Sequence, residues 1–212
     1  NTLLQPNTFH TAKNLNFFLK QKKKTWRYVR DKIAELFNIE NTQFQKDIII
    51  NKIDCLFPVE NITSIMPVKI GDYTDFYSSK DHAMNVGKMF RDPNNALLPN
   101  WLHIPVGYHG RSSSIVISGT DIKRPSGQIL PKGAEKPIFS KSKLLDFELE
   151  MAFVTGEGKP LGESISTQEA EDYIFGLCLF NDWSARDIQK FEYVPLGPFL
   201  GKSFASSISP WI

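Results

Sequence analysis

Hydrophobic and polar residues alternate along residues 144–154, which read LLDFELEMAFV. Successive side chains of a β-strand point to opposite faces of a sheet, so a period of two with branched and aromatic residues predicts a strand here. One face of this strand is wholly apolar: Leu145, Phe147, Leu149, Met151 and Phe153. The other face begins with three carboxylates and ends in Ala152 and Val154. We therefore expect a largely buried strand that carries acidic side chains in a row.

A helical segment is predicted earlier in the chain, over residues 15–50. Trp26, Val29, Ile33 and Leu36 recur there at helical spacing, with Lys and Arg residues between them. Apolar residues three and four positions apart lie on one face of an α-helix, and this face is expected to pack against the rest of the protein.

The pattern changes at about Pro67. Short apolar runs, such as residues 114–117 and 173–180, then appear between Gly and Pro residues that favour turns. The chain is therefore predicted to be mainly β with some helix, and to have long loops of the kind that often hold functional residues.

One short helix is predicted near His82. Ser78-x-x-Asp81 resembles a capping box, and an apolar stripe follows it at Ala83, Val86 and Phe90. If this helix begins as early as Asp75, His82 lies two turns further on and roughly on the same face.

A second helical turn is predicted after the strand that residues 174–180 form. Ser184-x-x-Asp187 again resembles a cap, and Asp182 lies where the strand is expected to end. Functional side chains are common at such positions.

Composition limits the classes of protein that fit. The chain has 212 residues, of which 41% are hydrophobic, and a net charge of +2, so it can bury one sizeable core and shows no preference for a strongly charged partner. The one basic block, residues 20–24, is more typical of a solvated helix start than of a nucleic-acid contact. Nucleic acid is therefore not an expected partner. No apolar run approaches the ~18 residues of a membrane span, so a membrane is not an expected partner either.

The two cysteines and the two chain ends add two expectations. Cys55 and Cys178 form no CxxC motif, so we interpret them as reduced, buried thiols of a cytoplasmic protein. The chain begins at Asn1 and stops in the apolar segment 209–212. Because termini are normally exposed, we interpret the sequence as a fragment of a longer protein.

Glu148 and Glu150 are two residues apart on the predicted strand, so their side chains point the same way. Buried carboxylates repel each other unless they are protonated, paired with a cationic side chain or bound to a metal. A hard cation such as Ca²⁺ or Mg²⁺ takes oxygen ligands, whereas zinc would need Cys or His at ligand spacing. The alternative is a half-exposed strand whose acids are solvated.

Single residues elsewhere allow two interpretations each. His82 is by itself typical of a hydrogen-bonded structural histidine, Lys202 of a surface lysine and Arg186 of a partner for a nearby acid. Tyr77, Tyr108 and Tyr193 are typical of core or rim aromatics.

Five segments in order change these interpretations: IGDYTDFYSS, LLPNWLHIPVGYHGRSSSIV, LLDFELEMAF, FNDWSARDIQ and EYVPLGPFLGKSF. Together they closely resemble the fumarylacetoacetase (fumarylacetoacetate hydrolase) family, from about Met66 to Ile212. The resemblance implies that residues 67–212 are the first part of a metal-dependent hydrolase domain, a partial mixed β-roll with a barrel-like fold. Residues 1–66 would be the helical end of an N-terminal domain, and both ends of the family's chain would be missing.

The resemblance also implies an activity. The family hydrolyses a carbon–carbon bond of 4-fumarylacetoacetate to give fumarate and acetoacetate, the last step of tyrosine and phenylalanine catabolism. It implies a Ca²⁺ or Mg²⁺ ion, or both, held by the carboxylates of Asp75, Glu148, Glu150 and Asp182. A second cation site would include Lys202 and Ser206, where the family has Thr at the latter position. A homodimer is expected of the full-length protein.

Catalytic roles follow from the same resemblance. His82 matches the family's base, and Arg186, Gln189 and Lys202 match its oxyanion-stabilising groups. The positions that match substrate contacts are Tyr77, Arg91, Tyr108, Gln189 and Tyr193. The carboxylate that orients the base in the family lies downstream of this chain, so His82 is expected to lack that partner and the isolated fragment is expected to be inactive.

Two alternatives remain from the sequence. One is another enzyme of the same superfamily, such as an acylpyruvate hydrolase, a hydratase or a decarboxylase, and the loop matches at Tyr108 and Tyr193 argue against it. The other is a catalytically silent cation-binding fragment, which the presence of His82, Arg186, Gln189 and Lys202 disfavours.

Overall fold

The computed structural model describes residue 9 and residues 12–50 and 56–212. The helices of this part are α1 (Asn16–Leu19), α2 (Lys23–Leu36), α3 (Thr42–Ile50), α4 (Lys80–Phe90) and α5 (Arg186–Glu192). The strands are β1 (Thr74–Phe76), β2 (Gly107–His109), β3 (Ile115–Ile117), β4 (Ser126–Ile129), β5 (Ile138–Lys141), β6 (Leu145–Asp146), β7 (Leu149–Thr155), β8 (Ile174–Asp182), β9 (Ser184–Ala185) and β10 (Ser206–Ile208).

Helices therefore come first and strands dominate from Thr74 onward, which confirms the predicted mixed, mainly β fold with a helical lead-in. The chain forms two compact units. The first contains the described residues up to Lys69, together with Met151–Leu179 and Ser209–Ile212, and the second contains Ile70–Glu150 and Phe180–Ile208. The predicted domain boundary at residue 66 stays a prediction.

In the first unit, aromatic side chains of the helices pack on one phenylalanine of β8. The rings of Phe18 and Trp26 stand edge-on to Phe175, with ring centroids 5.7 and 5.3 Å away. The indole Nε1 of Trp26 also donates to the carbonyl oxygen of Phe18 over 2.8 Å, which satisfies its polar atom inside the cluster.

The second unit is built from short strand pairs around the end of β8. Strand β10 pairs parallel with β3 and antiparallel with β8, in a sheet of order β3-β10-β8-β7. The other pairs, all antiparallel, are β1 with β2, β4 with β5 and β6 with β9. In the part of the chain that the structure describes, these sheets do not close into a barrel.

Helix α5 follows β9 directly and packs on β4. Ile188 of α5 is 1% exposed and forms an apolar cluster with Ala185 and Ile129, to which Phe204 is added. Helix α5 is therefore packed on the sheet through Ile188.

The strand predicted over residues 144–154 is interrupted, because residues 147–148 separate β6 from β7. Its two faces are also buried to different extents. Leu149, Met151 and Phe153 on the apolar face are 71%, 59% and 54% exposed, whereas Glu148 on the acidic face is 7% exposed. Glu148 therefore points into the protein, where Arg186 and Lys202 are its buried partners.

Three local predictions are wrong. Helix α4 begins at Lys80 rather than Asp75, and its N-cap is Ser79, whose Oγ accepts from the backbone N–H of His82. Asp75 instead belongs to β1. Helix α5 has Ala185 at its N-cap and no side-chain cap, because Ser184 Oγ donates to the carbonyl oxygen of Asp182.

The predicted apolar stripe of the lead-in is only partly buried. Trp26 is 7% exposed, but Ile33 and Leu36 are 52% and 40% exposed. The predicted burial of Cys178 is confirmed, and Cys55 lies outside the described residues. None of the described helices has the length and hydropathy that crossing a membrane requires.

Candidate active site

Strand pairing brings three predicted acidic residues together in the second unit. Asp75 lies opposite Tyr108 in the β1–β2 pair, and Asp182 lies opposite Ser206 in the β8–β10 pair. The backbone N–H of Asp182 donates to the carbonyl oxygen of Glu148 over 3.1 Å, which makes these two residues neighbours. Asp75, Glu148 and Asp182 are 8%, 7% and 0% exposed, so their charges need partners within the protein.

Glu148 is the centre of a network of cationic side chains. Its Oε1 accepts from Nη2 of Arg186 over 2.6 Å and lies 3.2 Å from Nε2 of His82, and its Oε2 accepts from Nζ of Lys202. Burial would raise the pKa of Glu148, but the charges of Lys202 and Arg186 outweigh burial and hold this pKa below its ordinary value. Glu148 is therefore ionised at neutral pH.

Asp182 shares the ammonium group of Lys202. Its Oδ2 accepts from Nζ of Lys202 over 2.7 Å and from the hydroxyl of Tyr108 over 2.8 Å, and its Oδ1 accepts from Ser206 Oγ over 3.3 Å. Burial raises the pKa of Asp182 to about 6, although Lys202 opposes this shift. The predicted second-cation residues Lys202 and Ser206 thus both contact this carboxylate.

Asp75 and Glu150 are the other two predicted metal-binding acids. Among the hydrogen bonds of the described residues, neither carboxylate accepts from a lysine, arginine or histidine. Asp75 Oδ2 accepts from the hydroxyl of Tyr73 over 2.7 Å. Burial raises the pKa of Glu150 to about 9, and the charges of Asp75, Asp182 and Glu148 act in the same direction. Glu150 is therefore protonated at neutral pH unless another positive charge approaches it.

Arg186, the first residue of α5, is 3% exposed and has three different acceptors. Its Nε donates to Asp146 Oδ2 over 2.9 Å and its Nη1 to Gln189 Oε1 over 3.0 Å, in addition to the bond from Nη2 to Glu148. Burial alone would lower the pKa of Arg186, but Glu148 and Asp146 raise it. A guanidinium group has five N–H donors, of which these bonds use three.

The other predicted substrate residues lie around α4. The ring of Tyr77 is edge-on to His82, with centroids 6.3 Å apart, and Tyr193 packs on Phe90 at 5.3 Å. Arg91 donates from both Nε and Nη2 to the carbonyl oxygen of Ala96, over 3.0 and 2.7 Å. Among the described contacts, Arg91 is thus held by backbone and is not hydrogen-bonded to the carboxylates.

Sequence reasoning assigned no role to Tyr73 or Asp146, although both hold site residues in place. Tyr73 is two residues before Asp75 and donates to it, and Asp146 is two residues before Glu148 and accepts from Arg186. The available signal was the spacing of two residues in the sequence, although Tyr73 precedes β1 and Glu148 lies in the break between β6 and β7.

The donor chemistry of this cluster fits a hard divalent cation, because carboxylate oxygens are the ligands that Ca²⁺ and Mg²⁺ prefer. Within residues 9, 12–50 and 56–212, however, no three His, Cys, Asp or Glu side chains form a ready group of metal ligands. Glu148 and Asp182 each direct an oxygen to Lys202 instead. The donor set therefore fits in chemistry, while two of its members bind an ammonium group here.

Comparisons with known proteins agree with these motifs. The family model for the fumarylacetoacetate (FAA) hydrolase C-terminal domain matches residues 72–212. Fumarylacetoacetase of Homo sapiens is 53% identical over 199 residues, which are 93% of this chain and 47% of the human protein. The fumarylacetoacetase of Dictyostelium discoideum is 53% identical over 212 residues (96% of this chain, 48% of that protein), and that of Arabidopsis thaliana is 53% identical over 199 residues (94% and 47%). The chain spans about half the length of the curated relatives it matches.

Proposed function

Because this chain belongs to the fumarylacetoacetate hydrolase family, we propose that the complete protein hydrolyses 4-fumarylacetoacetate to fumarate and acetoacetate. The observation that carries this proposal is the convergence of His82, Arg186 and Lys202 on one buried carboxylate, Glu148. A candidate base and two cationic side chains therefore surround the Glu148 carboxylate. The attack of water on a carbonyl needs a base for the proton of water and cations for the oxyanion that forms.

The proposal includes a Ca²⁺ or Mg²⁺ ion held by Asp75, Glu148, Glu150 and Asp182. When bound, such an ion supplies Lewis-acid polarisation of a carbonyl oxygen. The support for it is the proximity of buried carboxylates and the raised pKa of Glu150, to which burial contributes most and the negative charges of Asp75, Asp182 and Glu148 add. A second cation beside Lys202 and Ser206 is part of the same proposal.

His82 is the proposed general base. Its side chain is 34% exposed, so water reaches the imidazole, while the Glu148 carboxylate oxygen 3.2 Å from Nε2 orients the ring. His82 takes a proton from water as the water oxygen bonds to the carbonyl carbon next to the bond that breaks. Glu148 thus lies beside His82 in this chain, while the absence of the family's downstream carboxylate and the inactivity of the isolated fragment stay predictions.

Lys202, Arg186 and Gln189 are the proposed oxyanion donors. The ammonium group of Lys202 has three N–H donors, of which Glu148 and Asp182 take two, so one remains for the developing negative charge. Gln189 accepts from Arg186 through Oε1, which leaves its NH₂ group to donate. Donors that are already fixed by such bonds need little reorganisation during the reaction.

The tetrahedral intermediate then collapses. The carbon–carbon bond breaks, its electron pair leaves with the acetoacetate part as an enolate, and the remaining acyl group becomes the new carboxylate of fumarate. The enolate takes up a proton, for which protonated His82 is the nearest proposed donor. The residues proposed to bind substrate in this process are Tyr77, Arg91, Tyr108, Gln189 and Tyr193.

The assay that tests the proposal follows the ultraviolet absorbance of fumarylacetoacetate in the complete protein, with acylpyruvates assayed in parallel. We expect turnover of fumarylacetoacetate that His82→Gln reduces strongly. Turnover of acylpyruvates alone would assign the protein to the other hydrolases of the superfamily. No turnover of either, combined with cation binding, would favour the silent cation-binding protein.

We further propose that the complete protein is a cytoplasmic homodimer. Support for the location is the buried free thiol of Cys178 within the described residues, which is typical of reducing compartments. The dimer is proposed because the resemblance to the family implies it. Light scattering of the complete protein at micromolar concentration tests the dimer, and a monomeric mass would contradict it.

A further inference from the structure

Residues 193–201 connect helix α5 to Lys202, and we refer to them as the 193–201 loop. Apolar burial does not hold this loop, because Val194 and Leu196 are 67% and 69% exposed. Lys202, in contrast, is 7% exposed and its ammonium group contacts two carboxylates. The backbone directly before Lys202 must therefore be fixed by other contacts.

Glu192 supplies two of these contacts. It is the last residue of α5, and its side chain turns back onto the loop. Oε2 accepts from the backbone N–H of Leu200 over 3.0 Å, and Oε1 accepts from that of Gly201 over 2.7 Å. Hydrogen bonds to an ionised carboxylate are shorter and stronger than neutral ones, so both oxygens hold the backbone next to Lys202.

The position of Gly201 shows how tightly the loop approaches α5. Its carbonyl oxygen accepts from the N–H of Ala185 over 2.7 Å. A Cβ atom at Gly201 would lie 2.8 Å from the backbone nitrogen of Gln189 and 3.0 Å from the carbonyl oxygen of Ala185. The helix that begins with Arg186 and the segment that leads to Lys202 are thus in direct backbone contact at this point.

Phe199 links the same loop to the acidic cluster. It has a φ angle of +60°, which a residue with a side chain rarely adopts and which surrounding contacts must maintain. Its ring stacks on Tyr108 with centroids 5.5 Å apart and an angle of 18°, and Tyr108 donates to Asp182. The carbonyl oxygen of Phe199 also accepts from the N–H of Lys202 over 3.1 Å.

We propose that Glu192 is a positioning residue, which fixes Lys202 for catalysis through the backbone N–H groups of Leu200 and Gly201. This inference rests on the proposed role of Lys202 in the reaction. A group that acts on the transition state must be held to a fraction of an ångström, because a displacement of ~1 Å can lower a rate by about 10²-fold. Loss of the Glu192 contacts should therefore lower kcat more than it changes KM.

The test compares Glu192→Gln with wild type and with the control Glu163→Gln, an exposed residue of the first unit, all in the complete protein. The amide that replaces the Glu192 carboxylate keeps the side-chain size, but its NH₂ group cannot accept from the second backbone N–H. We expect kcat to fall about 10- to 100-fold with KM nearly unchanged. Glu192→Asp keeps the charge and should recover part of the loss, and Glu163→Gln should behave as wild type.

A double-mutant cycle with Lys202→Met shows whether Glu192 acts through Lys202. If it does, the double variant is no slower than Lys202→Met alone. An unchanged kcat in Glu192→Gln, a change in KM only, or losses that multiply in the double variant would each overturn the inference.

A second measurement does not need catalytic activity. Acylation of lysines followed by mass spectrometry should modify Lys202 slowly in wild type, and several-fold faster in Glu192→Gln, relative to the exposed Lys190 of the same protein. Equal labelling of Lys202 in both proteins would overturn the positioning role. Absence of turnover in wild type would instead refute the proposed function, and the labelling result would still decide the role of Glu192.

Discussion

Nε2 of His82 lies 3.2 Å from Oε1 of Glu148, the same oxygen that accepts from Arg186. The proposed base and a proposed oxyanion donor therefore share one carboxylate oxygen, while Lys202 binds the other. Glu148 therefore differs from the other acidic side chains in having three such partners. It fixes the relative positions of three groups that come from α4, α5 and the segment after the 193–201 loop.

Replacing Glu148 by Gln should destabilise the protein strongly. The change leaves Arg186 and Lys202, which are 3% and 7% exposed, without their shared counter-charge. Removing one partner of a buried ion pair typically costs about 3–5 kcal/mol. Denaturant unfolding of the complete protein measures this loss, with Glu163→Gln as control. A loss below about 1 kcal/mol, the size of an exposed ion pair, would show that water or Asp182 replaces Glu148.

Replacing Asp75 by Asn should remove the response to divalent cations with little change to the cation-free protein. Asp75 accepts from Tyr73, and the Asn side-chain oxygen can accept the same bond. Millimolar Ca²⁺ or Mg²⁺ should raise the melting temperature of wild type, because ligand at about 100 times Kd contributes about 2.7 kcal/mol. The shift should be much smaller in Asp75→Asn. An equal shift in both proteins would exclude Asp75 as a ligand, and no shift in wild type would exclude the cation.

Stability without divalent cations should fall as pH rises. The pKa of Glu150 is about 9 in the folded protein against an ordinary value of 4.5, so the folded state binds the extra proton. The stability from that proton is fully present below the ordinary pKa of 4.5 and is lost as the pH rises towards the folded pKa of about 9. Asp182, whose pKa is raised to about 6, also makes the folded protein less stable as the pH rises. Glu148, whose pKa is lowered, makes it more stable as the pH rises.

Melting temperatures between about pH 5 and about pH 9.5, in chelator and in saturating Ca²⁺, measure this dependence. A bound cation replaces the proton on Glu150, so Ca²⁺ should flatten the decline, and Glu150→Gln should flatten it in chelator. A decline that is the same in wild type and in Glu150→Gln would assign the titration to other groups.

Replacing Lys202 by Met should lower kcat far more than it raises KM. The third N–H donor of Lys202 is proposed to act on charge that develops only in the transition state, and loss of one such donor typically lowers kcat about 10²–10³-fold. The control is Lys190→Met, which removes an exposed lysine of α5. An increase in KM with unchanged kcat would make Lys202 a ground-state binding residue.

Most of the secondary structure was accessible from the sequence, because it depends on local patterns. The run 173–180 predicted β8, and residues 15–50 predicted the helical lead-in, since apolar periodicity and Gly or Pro punctuation are local signals. The errors were also local. Ser78 and Ser184 have the spacing of caps, but a cap depends on where the backbone enters the helix, and the strand at Asp75 moved that point to Ser79.

Burial of the alternating strand could not be predicted from its pattern. In this chain, which spans about half the length of its relatives, Leu149, Met151 and Phe153 are exposed, whereas Glu148 is buried. The pattern shows which residues share a face and contains no information about which face meets buried cations. That choice depends on Arg186 and Lys202, which are 38 and 54 residues further along the chain.

The sequence by itself determined the family, the order of elements and the identity of the acidic and cationic residues, because these depend on motif letters and short-range periodicity. Tertiary structure alone decided their partners: Glu148 with His82, Arg186 and Lys202, Asp182 with Lys202 and Tyr108, and Glu192 with the backbone of Leu200 and Gly201. Charges and hydrogen bonds act over a few ångströms in space. Strand pairing and the packing of α5 bring residues that are far apart in the chain within that range. A local sequence pattern contains no information about such long-range contacts.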